Sequence, residues 1–386
     1  MTFGLFPSAP PSSLVDYDLV GSADPAVDWR DGDEAMWASL AKGAAHRDRH
    51  AVSRSILDRL AGQGWLGSPL PSPGQQRDLA ERLAAADASV WFCWAQHQTP
   101  LRALENAQAT DETPGVEELR RAHLGPLRCG EEIAAVAFAH VRRPGPPNPV
   151  AERTAGGWRF RGRLDWVTNW DNADLVLVMA RGAGNDTSSL VSALLPAGFA
   201  AESWPGLAVK PPLELLALGG TYTRPIELDG FIPNTRIVAV QDLEAWRSAD
   251  AAKTVHGNPA VYGLARGALA DLVARGRDRG DSACGEAAEA LAKEIRTVRN
   301  RAYELLGEPD SPAVRAEAIA LRATSLDLAT EAAVTALTAR AGAGVLSGCD
   351  QERRVREAMF LRIQAQTADS RSASLQRIIE RSQKTT

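Results

Sequence analysis

Trp166 and Thr168 are the first residues of this 386-residue chain whose types and spacing could serve a ligand. They stand two positions apart in a run with the texture of a strand, where side chains two apart share one face. The pair could then offer a bound ring an aromatic wall and a hydrogen-bond donor. The alternative is a buried strand tryptophan and a threonine whose hydroxyl is satisfied within the sheet.

Two histidines are candidates for proton transfer, because an imidazole titrates near neutral pH. His97 lies among polar neighbours in the helical N-terminal part of the chain. His256 lies in the segment 252–258, which carries no carboxylate. A lone histidine on a helix is more often structural than catalytic, so both roles stay open for His97.

The composition is that of a folded soluble protein, with 45% hydrophobic and 24% charged residues. The net charge of -5 gives no overall positive field for a nucleic-acid backbone. No run approaches the roughly 20 apolar residues that span a bilayer. We expect a cytoplasmic protein without a metal, nucleic-acid or membrane site. The four cysteines, which form neither a metal-binding nor a disulfide spacing, are Cys93, Cys129, Cys284 and Cys349.

The pattern of apolar and turn-forming residues divides the chain into three regions. Residues 1–128 and 241–386 carry apolar residues at helical spacing, whereas 129–240 contain short apolar runs bounded by Gly, Pro, Asn and Asp. The sequence therefore predicts an α+β chain with an N-terminal α-helical domain, a middle antiparallel, barrel-like β domain and a C-terminal helical bundle. The predicted strands lie at 134–138, 158–161, 175–180 and 190–195, with a further strand region at 225–240.

One segment of the β domain resembles the acyl-CoA dehydrogenase superfamily. It reads GWRFRGRLDWVTN at residues 157–169 and continues as ADLVLVMAR at 173–181. This is similar to the family pattern G-x-x-x-x-G-x-K-x-W-I-T-N, A-D, V-x-A-R, with Leu164 in place of the usual lysine. Two more stretches extend the resemblance to nearly the whole chain: residues 221–238 are similar to the family's closing strand, and ERRVREA at 352–358 resembles its E-R-x-x-R-D-A helix start.

The resemblance implies a four-helix C-terminal bundle and a bound FAD. Trp166 and Thr168 would line the isoalloxazine ring, as the tryptophan and threonine of the family segment do. Ala139 begins the stretch that replaces the family's T-E-P-x-x-G-S-D strand end, and Gly342 and Gly344 fall on its G-G-x-G-Y turn. These five residues are predicted to bind the cofactor.

One departure from the family leaves three functions open. The family's glutamate base falls on Ala365, whose methyl group cannot accept a proton, and His256 is the only substitute on the earlier helix. The first function is a flavin-dependent oxidoreductase acting on an acyl thioester or related small carbon acid. The second is a two-component monooxygenase that uses O2 and reduced FMN or FADH2, with His97 as a proton donor. The third is a fold that lost its flavin and serves as a non-redox enzyme or subunit.

The resemblance also implies partners. The substrate would be a small molecule, such as an acyl-CoA or a carrier-bound acyl group, and the monooxygenase alternative would need a flavin reductase. A homodimer or homotetramer is expected, because the family's cofactor site is completed by a neighbouring subunit and the C-terminal helices have Ala- and Leu-rich faces.

Overall fold

The computed structural model describes residues 18–23, 33–67, 72–143, 145, 149–199 and 204–383. These residues form two compact units. Unit 1 comprises the described parts of Met1–Arg47, Ser72–Ala88 and Val255–Thr386, and unit 2 comprises those of Asp48–Pro71 and Ser89–Thr254. The three-domain division at residues 128 and 240 stays a prediction.

The predicted fold class is confirmed, because helices precede and follow a single β region in the described part of the chain. A π-helical turn at Arg120–Leu124 joins two short helices before the first strand. The helices are α1 (Asp33–Arg49), α2 (Arg54–Gly62), α3 (Pro73–Ala86), α4 (Ala88–Asn106), α5 (Val116–Leu119), α6 (Gly125–Cys129), α7 (Leu243–Thr254), α8 (Pro259–Arg279), α9 (Ser282–Glu304), α10 (Pro312–Thr338), α11 (Asp350–Ile363) and α12 (Ala368–Gln383).

Three helices of unit 1 begin with the same local device. Ser72, Asn258 and Ser311 each have extended backbone, and each side-chain oxygen accepts a backbone N–H two or three residues on at 3.0–3.2 Å. A proline follows each of them at the first helical position, where its missing N–H costs nothing. The sequence therefore fixes where α3, α8 and α10 start.

Helices α3 and α8 pack closely in unit 1 because α8 carries glycines four residues apart. A Cβ on Gly263 would lie 2.1 Å from the carbonyl oxygen of Glu81, and one on Gly267 would lie 2.7 Å from that of Ala85. Only hydrogen fits at this approach, which brings the α8 backbone against the α3 backbone. Helices α8 and α10 contact each other and both α9 and α11, which gives a bundle, with α12 against α10.

A cluster of charged side chains is buried in the same unit. The Arg266 guanidinium pairs with Asp18, donates to Glu81 at 2.9 Å and lies 3.4 Å from Asp78. Burial alone would raise the pKa of Asp18 and of Asp78, but the neighbouring arginines, including Arg82, outweigh it and hold both values below the usual range. These carboxylates are therefore ionised at neutral pH.

The same cluster fixes the segment 18–23. Arg299 donates to Glu81 at 3.3 Å and to the carbonyl oxygens of Val20, Gly21 and Ser22 at 2.8–3.3 Å. The Tyr303 hydroxyl also donates to Glu81, at 2.7 Å. Charged groups thus supply the hydrogen bonds that this stretch of backbone would otherwise make with water.

Unit 2 is built on an eight-stranded sheet in the order β6-β7-β3-β2-β4-β5-β8, with β1 paired to β4. The predicted antiparallel arrangement holds for five pairs, but β1 and β2 both run parallel to β4, so the sheet is mixed. The strands are β1 (Ala134–Ala137), β2 (Val150–Thr154), β3 (Gly157–Val167), β4 (Leu175–Gly182), β5 (Ser189–Pro196), β6 (Leu207–Val209), β7 (Arg224–Pro233) and β8 (Ile237–Asp242).

Both faces of the sheet are buried at β4, which explains its unbroken apolar sequence. Leu175, Leu177 and Met179 pack in a core with side chains of α4, α5 and α6. Val176 and Val178 belong to the opposite core, which residues of β3, β5 and β7 complete. The strand therefore forms the wall between two hydrophobic cores of unit 2.

Candidate functional site

Trp166 lies within β3, whereas Thr168 follows the end of that strand. The register between β3 and β7 shifts between Leu164 and Val167, which inserts one extra residue into β3. The strand ends at Val167, so the regular alternation that would place both side chains on one face does not continue. Trp166 is 47% exposed, whereas Thr168 is 3% exposed.

The Thr168 hydroxyl belongs to a chain of three threonines. Its oxygen lies 3.0 Å from that of Thr223, which lies 3.1 Å from that of Thr221. The Thr221 hydroxyl in turn donates to the carbonyl oxygen of Leu218 at 2.7 Å. Thr168 is thus linked through two further hydroxyls to the backbone of the turn that precedes β7.

Strained backbone surrounds this chain. Asn169, Leu218 and Tyr222 all have φ between 47° and 68°, a region that side chains other than glycine rarely adopt. The N–H of Leu218 donates to Asp48 at 2.6 Å, and the N–H of Asn169 donates to Thr221 O at 2.7 Å. Several hydrogen bonds therefore hold a conformation that is costly by itself, as is common at ligand sites.

Two asparagines continue the network away from the threonines. Asn172 Nδ2 donates to Val52 O at 2.8 Å and to Asn169 Oδ1 at 2.9 Å. Asn169 is fully buried, and its own Nδ2 has no hydrogen-bond partner. The region beside Thr168 therefore holds an unsatisfied donor, which is costly unless something binds it.

Ala139 lies near the same strand end. It is exposed in a 3-10 turn, Ala139–Arg142, that follows β1 and contacts β3. Arg143, directly after the turn, pairs with Asp165, the residue before Trp166. Ala139 therefore lies on an element next to the strand that carries Trp166, and its role in binding a flavin stays a prediction.

His97 is fully buried and both of its ring nitrogens contact backbone. The N–H of Ala134 donates to Nδ1 at 3.0 Å, so the proton lies on Nε2, which is 3.0 Å from Leu127 O. Burial lowers the pKa of His97 to about 4. The ring is neutral and structural in this conformation, and its catalytic role stays a prediction that requires it to leave both partners.

In unit 1 the structure brings together the two positions that could carry a catalytic base. Asn258, two residues after His256, lies with Nδ2 at 3.4 Å from Gln364 Oε1, beside Ala365. Ala365 has φ of 54°, and its carbonyl oxygen accepts from Arg322 at 2.9 Å. The methyl-bearing turn is therefore held by the guanidinium, and none of these side chains is a carboxylate.

His256 itself is partly exposed. Its Nδ1 is buried without a hydrogen-bond partner. Burial lowers the pKa of His256, opposed by the charge of Asp310, so the ring is neutral at pH 7. Of the two predicted catalytic histidines, His256 is the one with a ring nitrogen that lacks a hydrogen-bond partner, and its catalytic role stays a prediction.

Gly342 and Gly344 lie elsewhere in unit 1, in a 3-10 turn between α10 and α11 (Ala341–Val345). Gly342 has open space where a Cβ would be, whereas a Cβ on Gly344 would lie 2.9 Å from Leu337 O. Only Gly344 is therefore required by packing. Val345 is exposed at the end of this turn.

Two expected absences can be compared with the described residues. In that part of the chain, no group of three or more His, Cys, Asp or Glu side chains is arranged to hold a metal ion. No described helix is long and apolar enough to cross a membrane.

The sequence analysis missed Thr221, Thr223 and Asp48. The two threonines flank Tyr222 just before β7, and their spacing of two was a signal that they face one way. Nothing in the sequence linked either to Thr168, 53 and 55 positions earlier, or linked Asp48 to Leu218, 170 positions later. These pairings depend on the register of β3 against β7 and on tertiary contacts.

No family model matches the sequence, and no curated protein matches it. Solved structures do match in fold. Butyryl-CoA dehydrogenase from Megasphaera elsdenii aligns with a TM-score of 0.67 at 15% identity, covering 92% of this chain and 99% of its own. Glutaryl-CoA dehydrogenase from Mycobacterium smegmatis in complex with FADH2 gives 0.68 at 15%, covering 94% and 98%. A nitrososynthase from Micromonospora carbonacea var. africana gives 0.69 at 17%, covering 94% and 99%. The chain has an acyl-CoA dehydrogenase-like fold.

The residues at the end of β3 fit a flavin ring. A half-exposed indole can cover one face of a flat heteroaromatic system, and the Thr168 hydroxyl can hydrogen-bond its edge. The amide of Asn169, fully buried in the same region, has an unpaired Nδ2. The residue types at the end of β3 are therefore compatible with a flat heteroaromatic ligand.

Proposed function

We propose that this protein is a flavin-dependent oxidoreductase. The observation that carries the proposal is the exposed Trp166 beside the buried, hydroxyl-linked Thr168 at the end of β3, in a fold of the acyl-CoA dehydrogenase type. When bound, the flavin supplies the redox chemistry. Trp166 would cover one face of the ring, Thr168 would hydrogen-bond its edge, and Ala139 and Asn169 would border the same site.

The proteins that share this fold include enzymes named as dehydrogenases or as flavin complexes, which supports the proposed function. Two are acyl-CoA dehydrogenases, and one of these was solved in complex with FADH2. A further neighbour is described as the FAD complex of PigA. FAD is therefore the cofactor that we propose, and FMN remains the alternative for the reduced form.

Direct binding tests the proposal. The purified protein, or its apo form titrated with FAD, should show flavin absorbance and quenched or shifted flavin fluorescence. Trp166→Ala should weaken FAD binding roughly tenfold, because an aromatic contact is lost. Phe231→Ala is the matched control, since it removes a similarly exposed aromatic from β7. Equal losses in both variants, or no binding by the unaltered protein, would refute the proposal.

Within this class, dehydrogenation of an acyl thioester or related small carbon acid is the first candidate. It needs a base for the α-proton, and His256 is the residue that we propose, because its Nδ1 has no partner. We expect His256→Ala to abolish flavin bleaching by acyl-CoA substrates under anaerobic conditions while FAD binding persists. Bleaching that survives in this variant would remove His256 from catalysis.

A two-component monooxygenase is the second candidate, favoured by the groups around Ala365. The methyl group stands where the family's glutamate would be, and the amides and the guanidinium beside it cannot serve as an efficient base. Such an enzyme would receive reduced FMN or FADH2 from a partner reductase. Oxygen consumption and substrate oxygenation that require added reductase would support it, whereas fast anaerobic bleaching by saturated acyl-CoAs would exclude it.

We further propose a homodimer or homotetramer. Leu375, Ile378 and Ile379 are exposed on one face of α12, and Ile363 and Val345 are exposed in the same unit. An amphipathic helix with its apolar side in water is typical of an interface. Light scattering should give a multiple of the 41.2 kDa chain mass, and Ile379→Glu should lower it. A monomer at micromolar concentration would contradict this proposal.

A further inference from the structure

The direction of the three-threonine chain can be deduced by counting protons. Each hydroxyl has one proton to donate. The carbonyl oxygen of Leu218 can only accept, and an oxygen at 2.7 Å from it must donate, so the Thr221 proton points to Leu218. In each remaining contact of the three-threonine chain, the proton must then come from the threonine that is farther from Leu218.

The same count fixes the other two hydroxyls. Because the proton of Thr221 is committed, the 3.1 Å contact with Thr223 requires Thr223 to donate to Thr221. The 3.0 Å contact between Thr168 and Thr223 then requires Thr168 to donate inward. The Thr168 oxygen is left with acceptor capacity only, which is opposite to the donor role expected from the sequence.

The Leu218 end of the three-threonine chain is fixed by further hydrogen bonds. The direction of proton donation along the three threonines is therefore not easily reversed. Leu218 adopts φ of 61°, and its N–H is bonded to Asp48 at 2.6 Å. The N–H of Thr221 also points to Leu218 O, at 3.1 Å. The carbonyl that receives the Thr221 proton is therefore fixed by hydrogen bonds to both the N–H and the carbonyl oxygen of the same residue.

We propose that the three-threonine chain makes the site selective for the reduced form of the flavin. This inference rests on the proposed flavin-binding function. The family segment that residues 157–169 resemble implies that Thr168 faces N5 of the flavin ring. At that position reduced flavin, which carries a hydrogen on N5, can donate to the Thr168 oxygen, whereas N5 of oxidised flavin is an acceptor and meets another acceptor. Thr221 and Thr223 act through Thr168 and are positioning residues.

The test compares affinities for oxidised FAD and for dithionite-reduced FAD, measured anaerobically with the full chain. The unaltered protein should bind the reduced form more tightly. Thr223→Val removes the acceptor for the Thr168 proton and frees that hydroxyl to donate outward. The ratio of the two dissociation constants should then fall roughly 3- to 10-fold, because one hydrogen bond changes partner. The midpoint potential of bound FAD should fall correspondingly, by roughly 14 to 30 mV.

Thr223→Ser is the matched control, because it keeps the hydroxyl and should retain the ratio of the unaltered protein. Thermal unfolding of both variants without flavin checks that the fold is intact. An unchanged ratio in a folded Thr223→Val variant would overturn the selectivity, and so would an equal fall in both variants. If neither form of FAD binds to the unaltered protein, the proposed function fails, and this inference fails with it.

Discussion

The buried polar groups of the two units differ in kind. Unit 1 buries ions: Arg266 and Arg299 are matched with Asp18, Asp78 and Glu81 across α3, α8 and α9. Unit 2 buries mainly neutral groups, namely the threonine chain, two asparagines and two histidines, together with Asp48, which accepts from the N–H of Leu218. Ion pairs hold segments together with strong but weakly directional forces, whereas hydroxyl and amide bonds have a defined donor and acceptor.

This difference separates structural from binding roles. Removing one partner of a buried ion cluster leaves an uncompensated charge, so unit 1 should respond mainly in stability. Reorienting a proton in unit 2 costs little stability but changes which ligand group can be bound. The predictions below test this contrast in order of expected size.

The largest effect is expected at the centre of the ion cluster. Arg266→Met should lower the free energy of unfolding by about 3 to 5 kcal/mol, because it leaves Asp18, Asp78 and Glu81 with less compensating charge. Urea unfolding followed by circular dichroism measures the change. Arg301→Met is the control; it removes an arginine of the exposed ion-pair network with Glu317 and should leave the free energy of unfolding nearly unchanged. Similar losses of unfolding free energy in both variants would contradict the stabilising role that we assign to the buried ion cluster.

Mild acid should remove stability through two buried histidines of unit 2. Burial lowers the pKa of His97 and of His140 to about 4, from 6.5 when exposed. The unfolded chain therefore binds protons that the folded chain does not, and stability present above pH 6.5 is lost as the pH falls toward 4. The loss is roughly 3 kcal/mol for each histidine.

Asp18 and Asp78 of unit 1 behave differently, because their lowered pKa values remove stability only below the usual aspartate pKa of 3.8. Chemical unfolding measured between pH 8 and 4 should show the loss of stability caused by the histidines. His97→Gln should make the free energy of unfolding fall less steeply with pH below pH 6.5. From pH 7 to 8, the free energy of unfolding of the variant should change with pH in parallel with that of the unaltered protein. An unaltered slope below pH 6.5 would show that His97 does not titrate as the burial implies.

A smaller effect is expected where α8 approaches α3 in unit 1. Gly263→Ala places a methyl against Glu81 O and should destabilise by about 1 to 3 kcal/mol. Gly285→Ala in α9, where a Cβ meets open space, should instead stabilise by about 0.5 to 1 kcal/mol. Thermal unfolding of the pair gives the sign directly. Stabilisation by both would mean that the two helices can move apart without cost.

The neutral network of unit 2 gives the smallest predicted change. Asn172→Ala removes donors to Val52 O and Asn169 and should cost about 1 to 2 kcal/mol. Asn106→Ala removes one exposed bond to Arg102 O and should be nearly neutral. Differential scanning calorimetry compares the two. A cost at Asn172 as large as that at Arg266 would erase the contrast between the units.

The sequence by itself determined the elements and much of their chemistry. Helix starts at Ser72, Asn258 and Ser311 follow from local capping and from the prolines after them. The apolar run 175–180 indicated a strand, and the segment 157–169 indicated the fold family. These features depend on neighbours within a few residues, so a linear pattern contains them.

The tertiary structure alone decided the chemistry at the candidate sites. Thr168 was expected to donate, but contacts with Thr221 and Thr223 commit its proton inward. His97 was offered as a proton donor, but Ala134 and Leu127 engage both ring nitrogens. In each case the protonation and direction of a hydrogen bond depend on partners distant in sequence, which a spacing rule along one strand or helix cannot supply.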